Sequence, residues 1–194
     1  GMPDPRLYPW SAFQSLLGGR DLPELDLGHI ATEGLLPFRK LLASRHAAAI
    51  TPVQTENVAG VSGSQQGLYM LAKVLLNPGD YVIMESPTYL GALQIFQSAG
   101  ARILTLPAPG PLQLDLLEDY LIRYRPKMLY IMPTFQNPSG RVLPADERQA
   151  LLSLAARHRL AVVEDDPYSD LYYDSAPPTS LHAQDAHGRV IYLK

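Results

Sequence analysis

Apolar positions recur along this chain in two periods, and their alternation lays out an architecture. Leu35, Phe38, Leu41 and Leu42 are spaced for one face of a helix running from about Leu35 to Ala48. The run Asn57–Ser62 reads as a short strand, and Leu68, Leu71 and Leu75 mark a helix that Asn77-Pro78-Gly79-Asp80 stops. The pattern then repeats, with a strand at Tyr81–Met84, a helix from about Tyr89 to Gly100 and a strand at Ala101–Leu106. A helix at Asp115–Tyr124, a buried strand at Lys127–Met132 and a helix from Pro144 to about His158 follow, with strands at Leu160–Glu164 and Val190–Leu193. Strands alternating with helices of this length predict βαβ units, hence an α/β fold with a mostly parallel sheet flanked by helices. Ligands of such sheets sit at the carboxyl ends of the strands. The loop after Ser62, the loop after Met132 and the acidic end of the strand before Pro167 are therefore expected on one edge.

Residues 1–27 lack this periodicity and read as an extended arm with a short helix. We divide the chain into an arm, 1–30, and a partial large domain, 31–194. A hydrophobic fraction of 46% with 18% charged residues suits an ordinary globular domain. A net charge of −3 argues against a dedicated nucleic-acid or anionic-membrane surface on this segment. With no run of 18 apolar residues and no signal-peptide pattern, a cytoplasmic protein is expected. The absence of cysteine removes disulfides, thiol nucleophiles and Cys-ligated zinc. Eighteen prolines fall mainly at element ends, as loop punctuation. Because VIYLK stops within an apolar β-branched run, the expectation is that these residues belong to a longer protein.

Four stretches carry candidate chemistry. In VSGSQQGL, residues 61–68, a strand leads through Gly63-Ser64-Gln65 into a helix, where free N–H groups and the helix dipole favour phosphate. A plain helix start with Ser64 as N-cap is the alternative. In ESPTYLG, residues 85–91, a turn lifts Tyr89 to the sheet edge, either to stack on a flat ligand or to pack on its own helix. In MPTFQNPSG, residues 132–140, Asn137 is either a turn residue or an amide donor to a ligand oxygen. In VVEDDPYSD, residues 162–170, side chains alternate across the strand, so Asp165 points away from Glu164 and Asp166. One carboxylate can then face a cationic ligand while its neighbours reach solvent or the opposite layer. A receiver-like Mg²⁺ site at Asp165 and Asp166 competes, but that arrangement wants the acids on the first strand. The five histidines show no metal-ligand spacing, and no metal is expected.

Together and in this order, the stretches resemble the large domain of fold-type I pyridoxal-phosphate enzymes of aminotransferase class I/II. The branch is the one that holds 2-aminoadipate-type aminotransferases and the aminotransferase-like domains of GntR/MocR regulators. GMPDPRLYP resembles that branch's N-terminal arm. The resemblance implies pyridoxal 5'-phosphate as cofactor, with Gly63, Ser64 and Gln65 around its phosphate and Tyr89 on its ring. It further implies Asn137 and Tyr168 on the ring's phenolic oxygen and Asp165 on the pyridine nitrogen. A carboxylate beside that nitrogen favours its protonated form, which draws electrons from the substrate Cα. The implied activity moves an amino group from an amino acid to a 2-oxo acid, in a homodimer. The alternative is an effector-sensing domain of a regulator, which would touch DNA only through a further N-terminal domain.

Two departures bear on these implications. The family's Schiff-base lysine lies in a Ser-x-x-Lys segment shortly after the VIYL strand, and Lys194 comes too early for that register. It is expected beyond Lys194, together with a phosphate-binding arginine and a small C-terminal domain, so these 194 residues alone are expected to be inactive. Upstream, the position at which the family often carries a tyrosine reaching across the dimer is His29.

Overall fold

In the computed structural model, residues 4–18, 31–46 and 49–194 are described below. The chain divides into two units, Gly1–Thr32 and Glu33–Lys194. His29 and the first three residues of the arm motif lie outside the described residues.

The first unit holds a 3₁₀ turn, Pro5–Leu7, and helix α1, Trp10–Gly18. Asp4 caps the turn by accepting from the Arg6 N–H at 2.9 Å. The Tyr8, Trp10 and Phe13 rings are in sequential contact, with centroids 5.5 and 6.1 Å apart.

In the second unit, helices α2 (Leu36–Arg45) and α3 (Ser64–Leu75) precede strand β1 (Tyr81–Ser86). There follow α4 (Leu90–Ser98), β2 (Arg102–Pro107), α5 (Leu114–Tyr124), β3 (Met128–Ile131), α6 (Ala145–His158), β4 (Ala161–Asp165), α7 (Leu181–Gln184) and β5 (Val190–Leu193). The strands form one parallel sheet in the order β2-β1-β3-β4-β5. Unbroken apolar runs such as Met128–Ile131, buried at every position, are what a sheet covered on both faces requires. One core layer packs Ile83, Leu129 and Val162 against Leu117 and Leu121 of α5 and Leu151 and Ala155 of α6. The other packs Val82, Met84, Tyr130 and Val163 beneath Leu68 of α3 and Phe96 of α4. The chain leaves β1 for β2 on one side and returns to β3 on the other. The switch point is therefore the crevice at the carboxyl ends of β1 and β3.

Two elements differ from the pattern-based expectation. No strand forms at Asn57–Ser62. A 3₁₀ turn occupies Thr55–Asn57, and the rest runs extended without a sheet partner, its Gly60 N–H donating to the Glu33 carbonyl at 2.8 Å. Gly63, at φ +90°, then turns the chain directly into α3. In α2 the stripe Leu35, Phe38 and Leu41 is about half exposed, and Ala43 is the helix residue that is buried. Spacing alone does not say which side of a helix the sheet will cover.

Candidate functional site

The segments singled out in the sequence meet at the carboxyl edge of the sheet. Gly63, not Ser64, occupies the N-cap of α3, and no side chain caps that helix end. The Ser64 and Gln65 N–H groups begin the helix, and the Gln66 N–H is the first to find an intrahelical carbonyl, that of Gly63 at 3.1 Å. A Cβ at Gly63 would meet nothing within 4 Å, so the left-handed backbone and not crowding calls for glycine there. An uncapped N-terminus of a twelve-residue helix is a suitable seat for an anion.

Gln65 Nε2 donates to the Tyr89 hydroxyl at 2.9 Å, tying the start of α3 to the start of α4. The Tyr89 ring lies back over Gly91, where an added Cβ would come within 2.5 Å of Tyr89 Cζ. A glycine at that point is what admits the ring. Tyr89 thus packs on its own helix in this structure, at the edge of the core layer that holds Tyr130, and Tyr168 borders the same layer.

The loop after β3 is held from several directions. Gln136, nearly fully buried, donates from Nε2 to the Pro87 carbonyl at 2.8 Å and accepts from the Ser139 N–H at 2.8 Å. One side chain thereby joins the loop before Tyr89 to the loop that carries Asn137. Arg148 of α6 is completely buried and donates to the carbonyls of Leu143 at 2.8 Å and Pro133 at 2.7 Å, and to Thr134 Oγ1 at 2.9 Å. This bracing sustains Phe135 at φ +50°, a backbone state that costs a non-glycine residue about 1 kcal/mol or more. Asn137 is half-buried. Phe135 and Tyr168 line an open cleft of about 640 Å³ with Leu171 and Tyr172.

The acids at the end of β4 separate as strand alternation requires. Glu164 faces the α6 and α7 side, where its two oxygens accept from the Leu181 N–H at 2.9 Å and the His182 N–H at 2.8 Å, with Arg148 3.9 Å away. Burial pushes its carboxyl up to about 7 against those contacts. Asp166 accepts from the Tyr192 hydroxyl of β5 at 2.7 Å through Oδ2, and its buried Oδ1 has no partner. Both are buried, so neither neighbour of Asp165 reaches solvent. Asp165, on the other face, accepts from the Tyr130 hydroxyl of β3 through Oδ2 at 2.7 Å, while its buried Oδ1 has no partner. Burial raises the Asp165 carboxyl above the usual range, and the Tyr130 bond opposes that rise. Asp165 and Asp166 diverge toward different strands and do not converge on one ion. Among the described residues no group of three or more His, Asp or Glu is placed to hold a metal. Lys194 Nζ contacts Ser169 Oγ at 2.7 Å and Asp170 at 3.0 Å.

Three residues that matter here were not singled out from the sequence. Tyr130 passed as one more residue of a buried strand, although a lone hydroxyl inside KMLYIM was a signal. Gln136 and Arg148 are bracing groups that join local partners to distant ones, Pro87 for Gln136 and Pro133 and Thr134 for Arg148, and no local pattern marks them.

A family model for class I and II aminotransferases matches residues 27–193. The chain belongs to this family. A 2-aminoadipate transaminase of Thermus thermophilus is 40% identical over 200 residues, spanning 100% of this chain and 49% of that protein. An uncharacterized HTH-type transcriptional regulator of Bacillus subtilis, YisV, is 32% identical over 170 residues, 87% of this chain and 35% of the regulator. A crystal structure of the Pyrococcus horikoshii kynurenine aminotransferase, in complex with PMP and its substrates and products, superposes with a TM-score of 0.89. It is 35% identical, over 99% of this chain and 50% of that one. The chain spans about half the length of the curated aminotransferases it matches. No helix among the described residues is long and apolar enough to cross a membrane.

Proposed function

We propose that the protein containing these residues binds pyridoxal 5'-phosphate and transfers an amino group from an amino acid to a 2-oxo acid. The observation that carries this reading is the Asp165 carboxylate, buried on the α3 and α4 face of the sheet with one oxygen bonded to Tyr130 and the other unpartnered; Asp166 has the same pattern, but on the opposite face. A buried acceptor without a donor costs free energy unless a ligand supplies one, and a protonated ring nitrogen is such a donor. The uncapped start of α3 supplies the matching anion seat.

On this reading Gly63, Ser64 and Gln65 hold the phosphate with backbone N–H groups and the Ser64 hydroxyl. Tyr89 covers one face of the ring. Asn137 and Tyr168 donate to the phenolic oxygen, and Asp165 holds the proton on the ring nitrogen. Bound there, the cofactor supplies an electron sink for charge developing at the substrate Cα. A homodimer and a cytoplasmic location accompany the reading, as does the absence of direct contact between this segment and DNA or membrane.

The test is titration of the native gene product with pyridoxal 5'-phosphate, followed by absorbance and tyrosine fluorescence, before and after Asp165→Asn. Affinity should fall about tenfold or more in the variant, the scale of one charge-assisted hydrogen bond. Equal binding by both proteins removes the assignment of Asp165.

The similarity to the YisV regulator favours a second reading, an effector-sensing domain built on the same pocket. The native gene product separates the two readings. A basic helix-turn-helix domain upstream would make this a sensing module, whereas transaminase turnover by the native product without one would make it an enzyme.

A further inference from the structure

Tyr130 is fully buried in β3, its ring edge-on to Phe96 at 5.8 Å and its hydroxyl 2.7 Å from Asp165 Oδ2. Resting on the cofactor reading above, we infer that Tyr130 is a positioning residue that clamps one oxygen of Asp165, so that the other is presented ionised and in a fixed direction to the ring nitrogen.

The surroundings explain why such a clamp is needed. Asp165 is 2% exposed, and desolvation drives a carboxyl toward its neutral form, which cannot serve a cation. The groups facing the pair give it no positive charge. Asp166 follows in the chain, while Glu85 of β1 and Tyr89 at the start of α4 face the Tyr130 hydroxyl. A hydrogen-bond donor is then the remaining protein contribution that favours the ionised form, and the phenol is suited to it. Burial and the neighbouring carboxylate hold its proton firmly, so it acts only as donor. The bond also fixes the second side-chain torsion of aspartate, which is otherwise broad.

The same device occurs once more, one residue on. Asp166 is held by Tyr192 of β5 at 2.7 Å on the opposite side of the sheet. Each flanking strand thus contributes one phenol to one acid, and Asp165 is the acid on the sheet face that α3 and α4 cover.

The experiment compares the native gene product with its Tyr130→Phe variant, a near-isosteric change that keeps the Phe96 contact. Each is titrated across pH with pyridoxal 5'-phosphate and with its 1-deaza analogue, which lacks the ring nitrogen. We expect Tyr130→Phe to weaken the natural cofactor about tenfold at neutral pH. Its acid limb of binding should move to higher pH, because an unclamped Asp165 takes up its proton earlier. The deaza analogue should bind both proteins alike, and in an Asp165→Asn background the tyrosine change should add nothing. An equal loss for both ligands, or an unmoved acid limb, overturns the inference and leaves the cofactor reading standing. Should the unaltered native gene product bind neither ligand, the cofactor reading itself falls and this inference falls with it. As a measurement independent of the variant's folding, the ¹³Cζ resonance of Tyr130 in the unaltered product should shift with pyridoxal phosphate and not with the deaza analogue. A shift common to both ligands, or absent with both, overturns the clamp.

Discussion

Glu164 and Asp165 are adjacent, both carboxylates, and both buried, yet they sit in opposite kinds of surroundings. Glu164 has a partner on each oxygen, two backbone N–H groups from α7, with a guanidinium behind them. Asp165 has a partner on one oxygen alone. The difference follows from strand alternation, which turns Glu164 toward α6 and α7 and Asp165 toward the face that α3 and α4 cover. It teaches how to sort buried acids without knowing their function. A saturated acid is part of the fold, and an orphaned oxygen is a request for a ligand where it lies on the proposed cofactor face of the sheet, as at Asp165 and not at Asp166. Glu85 lies between the two, with the Met132 N–H at 3.3 Å and Arg141 at 3.9 Å.

Three experiments would break or sharpen that contrast. The largest effect is expected at Arg148→Met, which removes the buried positive charge behind Glu164 and the braces on Pro133, Thr134 and Leu143. Losing one partner of a buried ion pair should cost roughly 3–5 kcal/mol, read as a fall in the urea midpoint. A loss below about 1 kcal/mol would mean that Glu164 does not depend on the guanidinium.

The next effect is a pH dependence. Burial raises the Glu85 carboxyl from 4.5 to about 7. The folded state therefore keeps this proton where the unfolded chain has already released it, and the group's contribution to stability falls as pH rises from about 4.5 to about 7. Glu85→Gln should remove that fall, on the order of 2–3 kcal/mol across the window. Chemical denaturation at pH 5 and pH 7.5 measures it, and an identical slope in the variant counts against the assignment.

The smallest effect on stability is expected at Asp165→Asn. The amide can still accept from Tyr130, and no second bond is lost, so unfolding should shift by less than about 1 kcal/mol in either direction. Thermal melts of the ligand-free proteins decide this. A loss as large as that at Arg148→Met would show Asp165 to be structural and would collapse the distinction between the two neighbouring acids.

How legible each part was depended on the range of the interactions behind it. The strands at Tyr81, Met128, Ala161 and Val190 announce themselves through unbroken apolar runs, and the helices between them through their period and their Pro and Gly stops. The Asn57–Ser62 strand failed because extended backbone becomes sheet only with a neighbour to pair with, and that segment has none. Ser64 failed as a cap because Gly63, free to adopt φ +90°, turns the chain one residue earlier.

At the site, the acidic cluster 164–166 was legible because three carboxylates in a row repel one another without a use, while the choice of Asp165 among them came from the family resemblance. Tyr130 was not, because one hydroxyl in a buried strand is ambiguous until its neighbour is known. By itself, the sequence determined the order of elements, the parallel α/β class and the edge on which chemistry collects. These follow from side-chain periodicity and turn chemistry, which act over a few residues. Only the tertiary structure decided that Glu164 is satisfied on both oxygens while Asp165 and Asp166 each keep one open. Hydrogen-bond saturation depends on groups 15 to 50 residues away in the chain, and only folding sets their distances.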